Sequence, residues 1–240
     1  MEVRGKRECR ECGTHFSYFE TGSVACPECG SIRSVGRGER LRHTDQPVDL
    51  DLSHAKTVAA DRSLREAAEA ANEAARSYVH SRGFIKGGEL EPLDETYVAA
   101  EELRHVASAI RRRQSLGEHT EYYFLQLLDG APSGSRPEGE AVPEDLEPAR
   151  GLAVATAVRA YRGELRTWFE DEPTPDAIRG PLDRLDSHTR RIEALDGAVD
   201  LQSAEVLLEA ARGIGDFLRA EEGTEALKRA ESSLDRLDDV

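Results

Sequence analysis

Four cysteines constrain this chain more than anything else in it. They stand in two matched pairs near its start, Cys9-Arg-Glu-Cys12-Gly13 and Cys26-Pro-Glu-Cys29-Gly30, and no others occur in 240 residues. Two residues between the cysteines of a pair let both sulfurs reach one ion from a tight turn. The glycine after each pair can take the positive φ in which such a turn ends. Thirteen residues separate the pairs, enough for a hairpin that brings the two turns together. Four thiolates fill a tetrahedral coordination sphere, so the spacing predicts a closed, structural metal site with Cys9, Cys12, Cys26 and Cys29 as ligands. A module of about forty residues with so few apolar side chains needs such a staple to fold.

One structural zinc ion is the expected occupant. Iron is the alternative: a rubredoxin-like site uses the same four ligands and would make the module an electron carrier. His15 is the nearby side chain able to compete as a ligand. Neither pair lies in the βαβ context of a thiol–disulfide exchange enzyme. Around the cysteines the pattern reads as short strands and turns: Thr14–Phe19, a return at Val24-Ala25 and a third strand over Ser31–Val35. The predicted fold is therefore a small N-terminal β zinc ribbon with rubredoxin-like knuckles, followed by an all-α multi-helix domain.

The helical period begins near residue 53. Leu64, Ala68, Ala71, Ala75 and Tyr78 step 4-3-4-3 and place one apolar seam on one face; Ala99, Leu103, Val106 and Ile110 make a second. A short third helix falls around Tyr122–Leu128. Further seams follow at Val154–Trp168, Ile178–Ile192, Leu207–Phe217 and Leu227–Leu237. Thr174-Pro175-Asp176 reads as a helix start, and Gly213 and Gly215 mark a bend or a close helix contact. The predicted organisation is a ribbon over 1–43, a helical segment of about three helices over 44–128, a flexible Pro/Gly/Ser linker over 129–143 and three to four helices over 144–240. The loop Gly83–Pro92 mixes apolar residues with glycines and is the best sequence candidate for a docking loop.

Charge divides along the same line. Residues 1–43 carry eight Arg/Lys and six Asp/Glu, whereas the rest carry 24 and 41, for a total of −15. So acidic a body disfavours loose binding to nucleic acid or anionic lipid. Only four lysines (Lys6, Lys56, Lys86, Lys228) accompany the many acids and alanines, a composition suited to high salt, where repulsion is screened over a few ångströms. No apolar run approaches the roughly 20 residues that span a bilayer, and no signal-peptide pattern opens the chain, so a cytoplasmic protein without a membrane partner is expected. Arg10, Arg33, Arg37 and Arg40, with Phe16 and Tyr18, are the candidates for a nucleic-acid or partner surface on the ribbon.

The pattern Cys9-x-x-Cys12-Gly13 with Cys26-Pro-x-Cys29-Gly30 resembles the zinc ribbon of the archaeal transcription factor B (TFIIB) type. The wider stretch around it is similar to uncharacterised proteins of halophilic archaea that contain this ribbon. The resemblance covers about 40 of 240 residues and implies zinc on the four cysteines. In the transcription factor the ribbon docks on RNA polymerase while paired cyclin-like repeats bind promoter DNA. The helices of this chain show no such paired repeat, so promoter binding does not carry over. Arg113 and His119, with five residues between them, resemble the Arg-His pair of helical HEPN-type ribonucleases and supply an enzymatic alternative. Glu102-Leu-Arg-His105 is a single Glu-x-x-His, and a di-iron bundle requires two. The function expected is that of a non-enzymatic zinc-ribbon interaction protein in transcription or another nucleic-acid process, its ribbon contacting a protein or a nucleic acid.

Overall fold

A computed structural model describes residues 1–170, 174–219 and 223–238. The chain divides into two compact units, one of residues 1–48 with 80–91, the other of 49–79 with 92–240. The first unit is thus discontinuous in sequence, which the expected boundary at residue 43 does not anticipate.

In the first unit, strands β1 (Glu2–Val3), β2 (Lys6–Cys9) and β3 (His15–Ser17) precede a one-turn helix, α1 (Tyr18–Thr21), then β4 (Ser34–Arg37) and β5 (Leu41–Arg42). β2 is central, antiparallel to both β3 and β4, while β1 pairs with β5. Two expectations change here. The aromatic run Thr14–Phe19 ends not as strand but as α1, closed by Gly22 in the left-handed region. Its half-buried rings then turn inward: Phe19 and Tyr18 pack on the imidazole of His43, with centroids 4.7 and 5.9 Å away. Val24-Ala25, expected as a return strand, is a bend.

The segment expected to be a docking loop closes this unit instead. Strands β6 (Ile85–Lys86) and β7 (Glu89–Leu90) form a two-residue hairpin through Gly87 and Gly88, whose φ values of 62° and 90° suit the right-handed twist of the strands. Phe84, Ile85 and Leu90 are buried. Burial contributes about 1.5–3 kcal/mol for each such side chain, which is why the loop folds inward rather than offering them to a partner. The amides of Thr44 and Asp45 donate to the Ile85 carbonyl and that of Gly88 to Arg42. Arg82 and Asp45 form a partly buried ion pair.

The second unit holds α2 (Ser53–Asp61), most of α3 (Leu64–Ser81), α4 (Glu95–Arg112), α5 (Glu118–Gly130), α6 (Glu147–Trp168), α7 (Asp176–Ala194), α8 (Leu201–Arg219) and α9 (Thr224–Asp238). Among the described residues eight helices stand where six or seven were expected. The addition is α2, whose two buried residues, Ala55 and Val58, are too few to show a period. The apolar seams pack α4 against α6, α6 against α7 and α8, and α8 against α9. Gly213 and Gly215 mark close contacts, not a bend. A Cβ at Gly213 would lie 2.9 Å from that of Ala230 on α9, and one at Gly215 would lie 2.1 Å from the Tyr161 hydroxyl on α6. Among the described residues no helix is long and apolar enough to cross a membrane.

Residues 129–143 are not a flexible linker. They form short 3-10 turns (Ala131–Ser133, Gly139–Ala141) with Ala131 and Val142 buried. Arg136 fixes the segment. Its guanidinium lies 3.1 Å from the fully buried carboxylate of Glu102 and 2.9 Å from Glu205, while Arg150 reaches Glu205 at 3.1 Å. The Tyr123 hydroxyl donates to Glu102. Two cations thus meet two carboxylates, which offsets the desolvation that would otherwise expel them. Burial works to raise the Glu205 carboxyl, but Arg136 and then Arg150 outweigh it and hold it below the usual range.

Candidate metal centre

Each cysteine pair is held by the same backbone bonds. In the first, the Gly13 amide donates to the Cys9 carbonyl at 3.1 Å and the Cys9 amide to the Thr14 carbonyl at 2.9 Å. In the second, Gly30 donates to Cys26 at 2.9 Å and Cys26 to Ser31 at 2.9 Å. Gly13 and Gly30 sit at φ 76° and 70°, where an L side chain is strained even though nothing lies within 4 Å of a Cβ built there. The amides of the first cysteine and of the glycine in each turn are thereby committed, and the four sulfurs come together.

They converge on one point. All four sulfurs lie within 4.8 Å of one another, with Cys9–Cys29 and Cys12–Cys26 each at 3.6 Å. A tetrahedral zinc–thiolate site, with bonds of about 2.3 Å, has edges of about 3.8 Å, so the donor set fits such an ion to within a few tenths of an ångström across those pairs. Cys9 and Cys26 are buried and Cys12 and Cys29 exposed, so one side of the centre faces solvent. His15 is exposed on β3 and is not among the clustered donors.

Electrostatics favour a cation at this point. The Thr14 hydroxyl and amide draw the Cys12 thiol down to about 6. For Cys29 the Ser31 amide favours the thiolate, but the Cys12 sulfur, desolvation and the other two sulfurs outweigh it and push the thiol up to about 12. Four thiols this close do not all ionise unaided, because each new thiolate repels the others. A divalent ion bound by Cys9, Cys12, Cys26 and Cys29 would supply the compensating charge and displace the protons.

The proposed partner surface does not gather on one face. The register pairs Lys6 with Ser17 and Arg37, and Arg7 with Phe16 and Gly36. Paired residues share a face and successive ones do not, so Arg37 and Phe16, paired with neighbours in β2, lie on opposite sides of the sheet. Arg37 is ion-paired with Glu8 at 2.6 Å and Arg33 with Glu11 at 2.9 Å. Tyr18 packs edge-on to His43, while Arg10 and Arg40 are exposed. Sequence reading missed the apolar residues left outside. Ile32 is 76% exposed and Val24 44%, flanking the second cysteine pair; the sole signal was their position in a turn too short to bury them.

Elsewhere most of the candidate side chains already have partners. Glu102 is the buried carboxylate of the ion cluster, and His105 packs beside the Thr156 hydroxyl at 3.1 Å. Arg113 binds Asp145, and His119 is exposed in the first turn of α5. The model of a family of unknown function, DUF7117, matches residues 1–234. No curated protein and no solved structure matches the chain.

Proposed function

We propose, for a chain that belongs to the DUF7117 family, that residues 1–48 with 80–91 are a zinc-held docking module of the transcription factor B type. In this reading it engages a protein of the transcription machinery and has no catalytic role. The observation that carries this reading is the second cysteine turn, which leaves Ile32 76% and Val24 44% exposed beside the metal donors. A thiolate-filled centre has no open position for substrate, so the metal's part is to hold that turn in shape.

Charge favours a protein over a nucleic acid as the partner. The first unit has ten basic and nine acidic residues, close to balance. Arg33 and Arg37 are engaged by Glu11 and Glu8, and phosphate recognition requires cations free to displace counterions. Zinc is the reading for the ion because its closed thiolate sites need no redox partner. The acidic second unit fits a cytoplasm rich in salt, as in the halophilic proteins whose ribbon stretch is similar.

Affinity capture from a native-salt lysate tests this. The full chain should retain RNA polymerase subunits after nuclease treatment, and Ile32→Asp should lose them while keeping its metal. Capture that disappears with nuclease and is indifferent to Ile32→Asp would place the contact on nucleic acid.

A further inference from the structure

We propose that His43 is a proton-controlled latch in the first unit. Neutral, it holds the tip of the β6–β7 hairpin, residues 86–89, against α1 and β5; protonated, it lets that tip go. This does not rest on the docking reading of the ribbon. The imidazole is 3% exposed. The Phe19 ring packs on it with centroids 4.7 Å apart, and the Tyr18 ring meets it edge-on at 5.9 Å. The Gly87 amide donates to its Nδ1 at 3.4 Å. A backbone amide can only donate, so Nδ1 carries the lone pair and Nε2 the proton. Nε2 is buried with no hydrogen-bond partner among the described residues. The pocket therefore suits one tautomer of the neutral ring.

Protonation adds a hydrogen at Nδ1. The imidazolium then meets the Gly87 donor with a donor, and both of its N–H groups are buried without an acceptor. The charges around it give little relief. Asp45 attracts the imidazolium, but its carboxylate is held by Arg82. Lys86 on the hairpin repels it, as does the amino terminus, which donates to the His43 carbonyl at 3.3 Å. Glu20 of α1 is taken up by Lys86 at 3.2 Å. Arg42 of β5 stands opposite Glu2 of β1, and Glu89 opposite Lys86. Burial first, then Lys86 and the amino terminus, outweigh Asp45 and keep the ring's pKa below 6.5.

Release is confined to the tip because the hairpin is held differently at its two ends. At the base, the Thr44 and Asp45 amides donate to the Ile85 carbonyl, and Ile85 and Leu90 are buried. None of those contacts involves the imidazole. The tip is held by the His43 bond, by the Gly88 amide on the Arg42 carbonyl at 2.8 Å, and by Gly87 against Phe19. A Cβ at Gly87 would lie 2.8 Å from that ring. The two glycines give the tip the backbone freedom to swing away. The sign follows from linkage: the open tip takes up the proton more readily than the closed one. Closure is therefore complete above about pH 6.5 and weakens about tenfold per pH unit below it, until the pKa of the closed state is reached.

Amide exchange by NMR on the full chain prepared with zinc tests this, expressed as protection factors between about pH 7.5 and 5. Gly87 and Gly88 should lose up to about tenfold in protection per pH unit below 6.5, while Thr44 and Asp45 keep theirs. The Gly13 and Gly30 amides close the two cysteine turns and should stay protected, which separates the latch from metal loss. His43→Asn puts an amide oxygen where Nδ1 stands and does not titrate, so protection of its tip should be level with pH. If that variant fails to fold, the imidazole resonances of the native chain decide, since His43 should titrate over the range in which the tip opens. Constant protection at Gly87 and Gly88, or the same loss in His43→Asn, would overturn the proposal. So would a His43 titration outside that range, or a parallel loss at Gly13 and Gly30.

Discussion

Gly13 and Gly30 show how much of the centre rests on single residues. Each follows the second cysteine of its pair at positive φ, with open space where a side chain would go. Gly30→Ala therefore tests backbone strain alone. It should destabilise the first unit by about 1 kcal/mol and weaken metal binding, read as earlier release to a chelator. Both glycines were legible because Cys-x-x-Cys-Gly is a local pattern whose geometry needs no tertiary partner. The same cannot be said of His105. In sequence it is part of a lone Glu-x-x-His; in the fold, burial first and then Arg104 and other arginines lower its pKa from 6.5 to about 4. The sign follows from linkage. The unfolded chain takes up the proton first as pH falls, so stability is complete above about 6.5, declines between about 6.5 and 4, and is level below. The decline should approach about 3 kcal/mol. Denaturant titrations across that range should show it, and His105→Gln should flatten it.

Among elements, the long helices were legible and the short ones were not. Ala99, Leu103, Val106 and Ile110 are all fully buried on α4, as their period requires. By contrast α2 and the β6–β7 hairpin gain their structure from what they pack on. Segment 129–143 was misread for the same reason. Its composition is that of a linker, but Arg136 joins carboxylates from α4 and α8 that lie 34 and 69 residues away in sequence. No local window contains that connection. Arg136→Met should cost about 3–5 kcal/mol, because it strands Glu102 and Glu205 with one cation between them. Hydrogen exchange should report the release of residues 131–142 together with a lower unfolding midpoint. A change below about 1 kcal/mol would mean the cluster is solvated in solution.

At the scale of the whole molecule, composition predicted the two-part character but not the boundary. A stretch of twelve residues, 80–91, made of the end of α3 and the segment after it, belongs to the ribbon unit, and discontinuity of this kind leaves no compositional trace. The charge asymmetry is sharper by unit than by sequence, with a ribbon unit near balance and a strongly acidic helical unit. Self-repulsion in the latter should be relieved by screening. Thermal unfolding of the helical unit should therefore move upward as potassium chloride is raised from dilute to molar concentration. The buried Arg136 cluster should respond less, since solvent ions do not reach it. A midpoint that is flat or falls with salt would mean that the acidic surface is not under repulsive strain.

The proposed zinc–thiolate centre, with its single task of holding the ribbon unit, can be checked by elemental analysis of the purified chain paired with hydrogen exchange on Cys26→Ser. About one zinc per chain and a colourless protein are expected. Cys26→Ser should lose the metal and its protection over residues 1–48 and 80–91, with the helical unit retained. A red, iron-loaded protein would contradict it, as would a metal-free chain whose first unit keeps full protection.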